Sequence, residues 1–352
     1  MKTIPSILIL LISSTLFFAC SDDNSPLSLE GFVKTGTLIY ERDTLDGIAL
    51  MSLDVATGKR FLLETDVTFR SPVEAGLIVT CGKTNPDFKP DRIYVISASS
   101  GSRVGDFRPQ FGTEVDCTSM AISPDGEKLV YTGIADLGLG IIERRLVIQD
   151  IRFRDTFTIL SIGSGPDSYV RFSPDGSRIA FFDREFGNCC VGNLYVVNKD
   201  GTGLTKIVTS AIGANDIQST LEWSPDGSQI LYSFSGLEGV RLVSAAGGTP
   251  TIIDFGRNPS WTPDGKRILY TKRSGGSDYR LATTKPDGTN LKIITPESAQ
   301  FGAWSPKGSM IAYTRFSGST VGSDSTIIIR DIASGTIIDS IKSAGRFLDW
   351  VD

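Results

Sequence analysis

The 352-residue sequence contains no histidine. Histidine is the usual general base near neutral pH and a common ligand of zinc, copper and iron. Serine–histidine triads and histidine-based metal sites are therefore excluded, whereas carboxylate chemistry, oxygen-ligated calcium and thiolate sites stay open. Basic clusters are also missing: the formal net charge is -5, and no run of lysine and arginine is present to follow a phosphate backbone. The sequence argues against nucleic-acid binding.

Cysteine is scarce, with five residues in the whole chain. One of them, Cys20, directly follows the apolar N-terminal segment, which leaves four that could pair if the protein is exported. Cys189 and Cys190 are adjacent, so they could form only a strained ring or remain two free thiols. The connectivity cannot be read from sequence, and we favour a bridge between Cys81 and Cys117.

The N-terminal segment MKTIPSILILLISSTLFFAC has one basic residue, an apolar run and a small residue before its cysteine. The run is short for a membrane span, which indicates an export signal. Its end resembles a bacterial lipobox, which implies a signal peptide over residues 1–19 and a lipidated Cys20. An ordinary secretory signal is the alternative. Residues 20–30 then form a flexible tether with two acids, which fits an outer-membrane lipoprotein facing either the periplasm or the surface.

Five near-copies of one phrase follow: ISPDGEKLVYTG, FSPDGSRIAFFD, WSPDGSQILYSF, WTPDGKRILYTK and WSPKGSMIAYTR. Their prolines are 50, 51, 38 and 43 residues apart. A period of this size is typical of propeller blades with four strands. The apolar triplet in each copy, such as Ile230 to Tyr232, predicts a strand buried on both faces.

The Pro-Asp-Gly core of the phrase predicts a tight turn. Proline presets the first turn position, aspartate bonds its own backbone, and glycine takes the positive φ. A repeated calcium site is disfavoured because a two-residue turn supplies too few oxygens, and because Lys307 replaces the aspartate in the fifth copy. A second turn recurs later in each unit, as in Lys285 to Gly288. Each unit therefore reads as strand a, tight turn, strand b, longer loop, strand c, tight turn, strand d.

The phrase (W/F)SPDG-x-x-I-x-(Y/F), repeated in register from about Thr118 to Ser340, resembles the WD-like propeller repeats of the TolB type. The resemblance implies an all-β fold. We predict a β-propeller over residues 31–352 with seven four-stranded blades, and six blades as the alternative. The C-terminal stretch RFLDWVD resembles a lone strand a, with Trp350 in the place of Trp223. It is predicted to complete the N-terminal blade, which removes exposed sheet edges.

In this pattern the short a–b and c–d turns share one face, so the longer b–c and d–a loops on the other face are the expected binding region. Basic residues recur there where strand b leaves the sheet. They are Arg42, Arg184, Lys272, Arg273 and Arg315. A ring of them would suit an anionic ligand such as an acidic sugar or a carboxylate-rich protein loop. Alternatively, they pair with neighbouring acids or belong to the repeat pattern.

The stretch GIADLGLGIIE, from Gly133 to Glu143, is apolar and rich in glycine. It could be a docking patch for a partner. The alternative is a loop that folds down to cap the channel or extends strand c.

Together these features favour a non-catalytic, lipid-anchored envelope propeller that binds a protein or a polysaccharide, with no catalytic residue, metal or cofactor assigned. The alternative is a carbohydrate-active hydrolase or lyase in which acids such as Asp116, Glu222 and Asp349 converge in the channel. A purely structural envelope protein is the third hypothesis. Fold alone does not decide between them.

Overall fold

A computed structural model shows that the chain is built from β-strands. The structure describes residues 36–44, 47–65, 74–82, 90–110, 112, 114–138, 142–152, 157–161, 169–184, 191–212, 220–233, 239–275, 278–316, 325–342 and 347–351. These residues form 27 strands in seven separate sheets. The prediction of a seven-bladed all-β propeller is confirmed.

The first three blades contain the following strands of the N-terminal part of the chain. Blade 1 has β1 (Thr37–Thr44), β2 (Gly47–Asp54) and β3 (Arg60–Thr65). Blade 2 has β4 (Leu77–Gly82), β5 (Arg92–Ser97) and β6 (Arg103–Phe107). Blade 3 has β7 (Glu114–Ile122), β8 (Lys128–Asp136), β9 (Ile142–Asp150) and β10 (Phe157–Ser161).

The remaining blades follow in chain order. Blade 4 has β11 (Val170–Phe172), β12 (Arg178–Arg184), β13 (Val191–Asn198) and β14 (Thr205–Ile212). Blade 5 has β15 (Thr220–Trp223), β16 (Gln229–Ser233), β17 (Val240–Ser244) and β18 (Thr251–Asp254). Blade 6 has β19 (Arg257–Trp261), β20 (Ile268–Gly275), β21 (Asp278–Thr284) and β22 (Lys292–Ile293). Blade 7 has β23 (Ala299–Trp304), β24 (Met310–Phe316), β25 (Ser325–Asp331) and β26 (Ile337–Lys342), and β27 (Phe347–Val351) is the last strand.

Sequential antiparallel pairing makes each of blades 3 to 7 a simple meander of strands a to d. The first strands of blades 3 to 7 contact one another in order, which places strand a innermost. The last strand, β27, pairs with β1 and supplies strand a of blade 1, with Trp350 opposite Leu38. The predicted closure by the C-terminal strand is therefore confirmed.

Blade 2 has three strands among the described residues, in the order β4-β5-β6. Residues 71–76 read SPVEAG, a sequence typical of a degenerate a–b turn before a strand b that begins at Leu77. Glu74 and Leu77 indeed form an isolated bridge across such a turn. A strand a before this turn falls on residues 66–73, which lie outside the described residues.

The repeated phrase builds the a–b turn from its own side chains. In blade 5, Ser224 Oγ donates to Asp226 Oδ1 over 2.6 Å and accepts from the backbone N–H of Gln229 over 2.9 Å. Gly227 has a φ of 68°, as predicted for the turn glycine. In blade 7, Ser305 still accepts from the backbone N–H of Met310 although Lys307 replaces the aspartate. The phrase therefore specifies a turn, and the serine is the member that binds the following strand.

Neighbouring a–b turns also touch each other around the ring. A methyl group built on Gly265 would lie 3.6 Å from Cδ of Pro225 in the preceding turn, and one built on Gly308 would lie 3.7 Å from Cδ of Pro263. The turn glycine of one blade thus packs on the turn proline of the blade before it. This contact explains why the phrase repeats as a unit: its proline and its glycine serve two different interfaces.

The cores lie between adjacent blades, where strand b contributes a large ring at one equivalent position. These rings are at most 1% exposed and belong to Tyr40, Tyr131, Phe181, Tyr232, Tyr270 and Tyr313. Each packs among apolar residues of its own blade and a neighbour, as Tyr131 does in the cluster shared by blades 2 and 3. Burial of such rings supplies much of the hydrophobic stabilisation of the propeller.

Replacing Ser224 with alanine is expected to lower the free energy of unfolding by about 1–2 kcal/mol, because the backbone N–H of Gln229 loses its acceptor. Asp226→Lys, which copies the natural Lys307 of blade 7, is the matched variant and should cost less. Urea denaturation of both variants measures the difference. An equal or larger loss for Asp226→Lys would show that the aspartate, not the serine, secures the turn.

Candidate functional site

The face with the b–c and d–a connections is only partly described. The b–c connections over residues 83–91, 184–192 and 316–325 lie largely outside the described residues. The stretch from Gly133 to Glu143 is different, because β8 and β9 remain paired up to Asp136 and Ile142. Ile134 in this hairpin is buried and Leu137 is 60% exposed. Most of the stretch is therefore an extension of strands b and c, as in the second interpretation of the sequence.

The five predicted basic residues lie at the ends of the b strands of four blades: Arg42 on β1, Arg184 on β12, Lys272 and Arg273 on β20, and Arg315 on β24. Blades 6, 7 and 1 follow each other around the ring, so three of the four positions form an arc and Arg184 stands apart in blade 4. Arg273 is exposed, and Arg42 and Arg315 are half-buried. The side chain of Arg184 is outside the described set.

Lys272 is tied to the preceding blade. Its Nζ lies 2.8 Å and 2.9 Å from the two carboxylate oxygens of Asp254 at the end of strand d of blade 5. The buried Tyr270 hydroxyl also donates to Asp254. Burial opposes ionisation of Asp254, but the hydrogen bonds from Lys272 and Tyr270 outweigh it, so the pKa of Asp254 is lowered. Lys272 therefore pairs with a neighbouring acid, which is the alternative that the sequence left open for the basic residues.

A second network of the same kind joins blades 6 and 7. Glu297, in the d–a connection, accepts from the Tyr313 hydroxyl and from Arg330 Nη2 over 2.6 Å. Arg330 Nε in turn donates to the Tyr313 hydroxyl over 3.0 Å. Burial opposes ionisation of Glu297, yet the hydrogen bonds from Tyr313 and Arg330 lower its pKa overall. We call these two networks, Tyr270–Asp254–Lys272 and Tyr313–Glu297–Arg330, the tyrosine latches.

The tyrosine latches fix the connections that enter blades 6 and 7. In blade 3 the buried Tyr131 has a related role, because its hydroxyl accepts from the backbone N–H of Gln110 over 2.8 Å. Burial raises the pKa of Tyr131 to about 12. These tyrosines are neutral near pH 7 and hold the d–a connections against strand b. Their hydrogen bonds are structural. They position the face of the propeller that carries the b–c and d–a connections, which we call the d–a face.

A polar cluster that the sequence analysis missed lies on β19, the innermost strand of blade 6. Its members are Arg257, Asn258 and Ser260, all half-buried. Arg257 is held in place because its guanidinium lies 4.1 Å from the ring centroid of Tyr279 and Nη2 donates to Gln300 Oε1 over 2.9 Å. However, Arg257 Nε, Asn258 Nδ2 and Ser260 Oγ are buried without a hydrogen-bond partner among the described residues. We call this set the β19 cluster.

The β19 cluster has a local sequence origin. Arg257 opens strand a directly after the d–a connection, which puts it at the mouth of the channel on the d–a face. Asn258 has a φ of 51°, a left-handed conformation that asparagine tolerates better than most residues. The pairing of β19 with β20 shifts register between Arg257 and Ser260. This irregularity frees polar groups that a regular strand would engage, and the sequence RNPS before WTPDG was the only available signal.

Of the three candidate channel acids, Asp116, Glu222 and Asp349, only Glu222 has a described side chain. Glu222 accepts a hydrogen bond of 3.3 Å from the backbone N–H of Trp261, so its carboxylate joins the a strands of blades 5 and 6. Asp116 and Asp349 belong to β7 and β27, but their side chains are outside the described set. A pair of acids in the channel therefore stays a prediction.

Within the described part of the chain, no group of three or more histidine, cysteine, aspartate or glutamate side chains is placed to hold a metal ion. No helix in the described ranges has the length and apolar character needed to cross a membrane.

Cys81 is disulfide-bonded, and its strand β4 packs beside β7, which carries Cys117. The side chain of Cys117 is not described, so it remains the predicted partner.

Solved structures share this fold at low sequence identity. TolB from Acinetobacter baumannii is 17% identical, with a TM-score of 0.50 over 90% of this chain and 66% of that one. A puromycin-hydrolyzing peptidase from Mycobacterium tuberculosis is 13% identical, with a TM-score of 0.57 over 89% and 54%. An oligogalacturonate lyase in complex with manganese is 14% identical, with a TM-score of 0.56 over 87% and 85%.

These likenesses concern the fold alone, and the chain spans about half the length of the peptidase. A comparison with curated protein sequences finds no match. The sequence model described as the TolB beta propeller domain matches residues 115–332, which is more than half of the chain. The chain therefore belongs to the TolB-type β-propeller family.

Proposed function

We propose that the protein is a non-catalytic propeller of the bacterial cell envelope, anchored in the outer membrane through a lipid on Cys20, and that it binds a protein or a polysaccharide at its d–a face. The β19 cluster is the observation that carries this proposal. A buried polar group without a partner costs about 1–3 kcal/mol. A ligand that enters the channel mouth and supplies hydrogen-bond partners to Arg257, Asn258 and Ser260 recovers that free energy.

The charge at this face favours an anionic ligand. Arg257 is held rigidly by Tyr279 and Gln300, so a bound carboxylate meets an oriented guanidinium. The predicted basic residues Arg42, Arg273 and Arg315 add positive charge on the neighbouring blades. Lys272 adds less, because it is already paired with Asp254. We therefore propose an acidic polysaccharide or a carboxylate-rich loop of an envelope protein as the ligand.

Site-specific photocrosslinking in native cells tests the proposal. A photoreactive residue replaces Arg273, which is exposed at the d–a face, and a matched control replaces Ile252, which is 55% exposed on strand d of blade 5. We expect one stoichiometric protein or polysaccharide adduct from position 273 and none from position 252. Equal adducts from both positions would refute binding at this face.

The variant Arg257→Ala is expected to reduce the adduct from position 273 about tenfold, because it removes the oriented guanidinium. Arg280→Ala, which breaks an exposed pair with Asp278, is the control and should leave the adduct unchanged. Charge reversal at Arg184, with the photoreactive residue kept at position 273, extends the test to the predicted basic residues. A captured polysaccharide that is shortened on incubation would instead support the carbohydrate-active alternative.

A further inference from the structure

A cavity of about 360 Å³ lies between the a–b turns of blades 5 and 6. It is on the opposite face of the propeller from the β19 cluster, so it is independent of the proposed function. Its volume is within the range of small-ligand pockets. The walls comprise Pro225, Asp226 and Gln229 of blade 5 and Trp261, Pro263 and Asp264 of blade 6.

The repeat itself shows what occupies the equivalent space one interface earlier. Between blades 4 and 5, Arg178 reaches across to the next blade. Its guanidinium lies 4.9 Å from the ring centroid of Trp223, and its Nη2 donates to the carbonyl oxygen of Gly227 over 2.8 Å. Trp223 and Gly227 occupy the positions that Trp261 and Gly265 occupy in blade 6. The guanidinium of Arg178 therefore fills the space between two turns.

Blade 5 lacks this arginine. Arg178 stands three residues after the turn aspartate of its blade, and the residue at the same position in blade 5 is Gln229, which lines the cavity. The glutamine side chain is shorter and carries no charge. The surroundings of Trp261 are also less complete: Trp223 Nε1 donates to the carbonyl of Arg171 over 3.2 Å, whereas Trp261 Nε1 is buried without a partner among the described residues.

Two carboxylates border the cavity. The hydroxyl of Ser224 and the backbone N–H of Ser228 hold the pKa of Asp226 down to about 2. A hydrogen bond from Thr262 similarly lowers the pKa of Asp264. Asp264 also has a long contact of 3.4 Å with the highly exposed Lys266. Both carboxylates are therefore ionised near neutral pH, and they add negative charge that a cation would meet at the rim.

We propose that the cavity between the a–b turns of blades 5 and 6, the guanidinium niche, binds an arginine side chain of a partner polypeptide. Trp261 and Gly265 of the cavity stand where Trp223 and Gly227 hold Arg178, and the carboxylates of Asp226 and Asp264 border the same space. A planar guanidinium stacks on an indole and offers five N–H donors, whereas a lysine ammonium offers a compact charge and no stacking plane. The niche is therefore selective for arginine over lysine.

Fluorine NMR of the full-length protein in detergent, labelled with 5-fluorotryptophan, tests this proposal. Each of the four tryptophan resonances is assigned by a single Trp→Phe variant. Titration with Nα-acetyl-arginine amide is expected to shift the Trp261 resonance saturably, with a dissociation constant on the order of 1 mM. The lysine and citrulline analogues should bind roughly tenfold more weakly. Equal shifts with citrulline would overturn the proposal.

Two reciprocal variants sharpen the test. Gln229→Arg supplies the guanidinium from within the chain, so it should abolish the response of Trp261 to the probe. Arg178→Gln opens the equivalent space between blades 4 and 5, so the probe should then shift Trp223 as well. The unchanged resonance of Trp350 reports that both variants are folded. A Gln229→Arg protein that is folded and still binds the probe would rule out the niche as the site.

The source of the guanidinium is decided by a third comparison. Free arginine carries an α-ammonium and an α-carboxylate next to its side chain, whereas an arginine within a peptide carries neither and has flanking residues that can contact the two turns. A peptide with blocked termini and one central arginine should therefore bind more tightly than free arginine. The reverse order would reject a polypeptide partner.

Discussion

Replacing Arg330 with methionine is expected to lower the free energy of unfolding by about 3 kcal/mol. Arg330 is 7% exposed and serves three acceptors: Glu297, the Tyr313 hydroxyl and the carbonyl of Gly335. Methionine fills a similar volume, so the loss comes mainly from leaving the carboxylate of Glu297 without its cation. Urea denaturation at pH 7 measures the change.

The matched control is Arg280→Met. Arg280 also pairs with an acid, Asp278, over 3.1 Å, but both side chains are more than a third exposed. Exposed pairs contribute little because water screens them, so this variant should lose less than about 0.5 kcal/mol. Similar losses in the two variants would contradict the stabilising role of the tyrosine latches.

Acid should remove the contribution of Glu297 in a defined direction. Its pKa is lowered in the folded state, so its stabilisation is complete above the unfolded carboxyl pKa of about 4.3 and is lost as the pH falls through the folded pKa. The difference in stability between the wild type and Glu297→Gln should therefore be largest near pH 7 and shrink below about pH 4. A difference that is independent of pH would show that the carboxylate charge is not involved.

The fold follows from the sequence wherever local chemistry repeats. The Pro-Asp-Gly turn at Pro225 carries its own hydrogen-bond acceptors and its positive-φ glycine, so local residues are enough to predict it. Closure of the ring by the C-terminal strand was predictable because Trp350 occupies the position that Trp223 holds in strand a of the repeat.

The tyrosine latches escaped the sequence analysis because their partners come from connections of variable length. One regularity was available: Tyr270 follows Asp254 by 16 residues, and Tyr313 follows Glu297 by 16 residues. The β-strand period explains the burial of the tyrosine ring, but it does not reveal what the hydroxyl at its far end meets. Such contacts depend on how the d–a connection crosses the blade.

The candidate site was predicted less well for a related reason. Sequence indicated the d–a face through its longer loops and basic residues, but Lys272 proved to be engaged by Asp254. The β19 cluster arises from a register shift near Asn258, and the guanidinium niche arises because one interface has Arg178 where the next has Gln229. Both features are departures from the repeat. Their effect on the site is visible only when the same position is compared between neighbouring blades of the structure.

Removing the closing strand is expected to have the largest effect of all. A chain that ends at Arg346 lacks β27, which pairs with β1 from Thr37↔Val351 to Tyr40↔Phe347. Trp350 is 4% exposed and packs between blades 7 and 1 with Leu38 and Ala312. Its loss alone, in Trp350→Ala, should cost about 3–5 kcal/mol. The truncated chain also exposes the edge of β1, so we expect it to aggregate and to lose cooperative unfolding.

Rescue in trans separates closure from a general loss of core. A synthetic peptide of residues 346–352, RFLDWVD, can add to the β1 edge as a strand, whereas a scrambled peptide cannot place its tryptophan beside Leu38. We expect the first peptide to raise the thermal midpoint of the truncated protein in a concentration-dependent way and the second to have no effect. If the truncated protein instead unfolds with the wild-type midpoint and denaturant dependence, the ring is held by its blade-to-blade cores and the β1–β27 pairing is dispensable. Partial rescue that is lost with Trp350→Ala in the peptide would assign closure to the tryptophan, because the backbone pairing alone would then be insufficient.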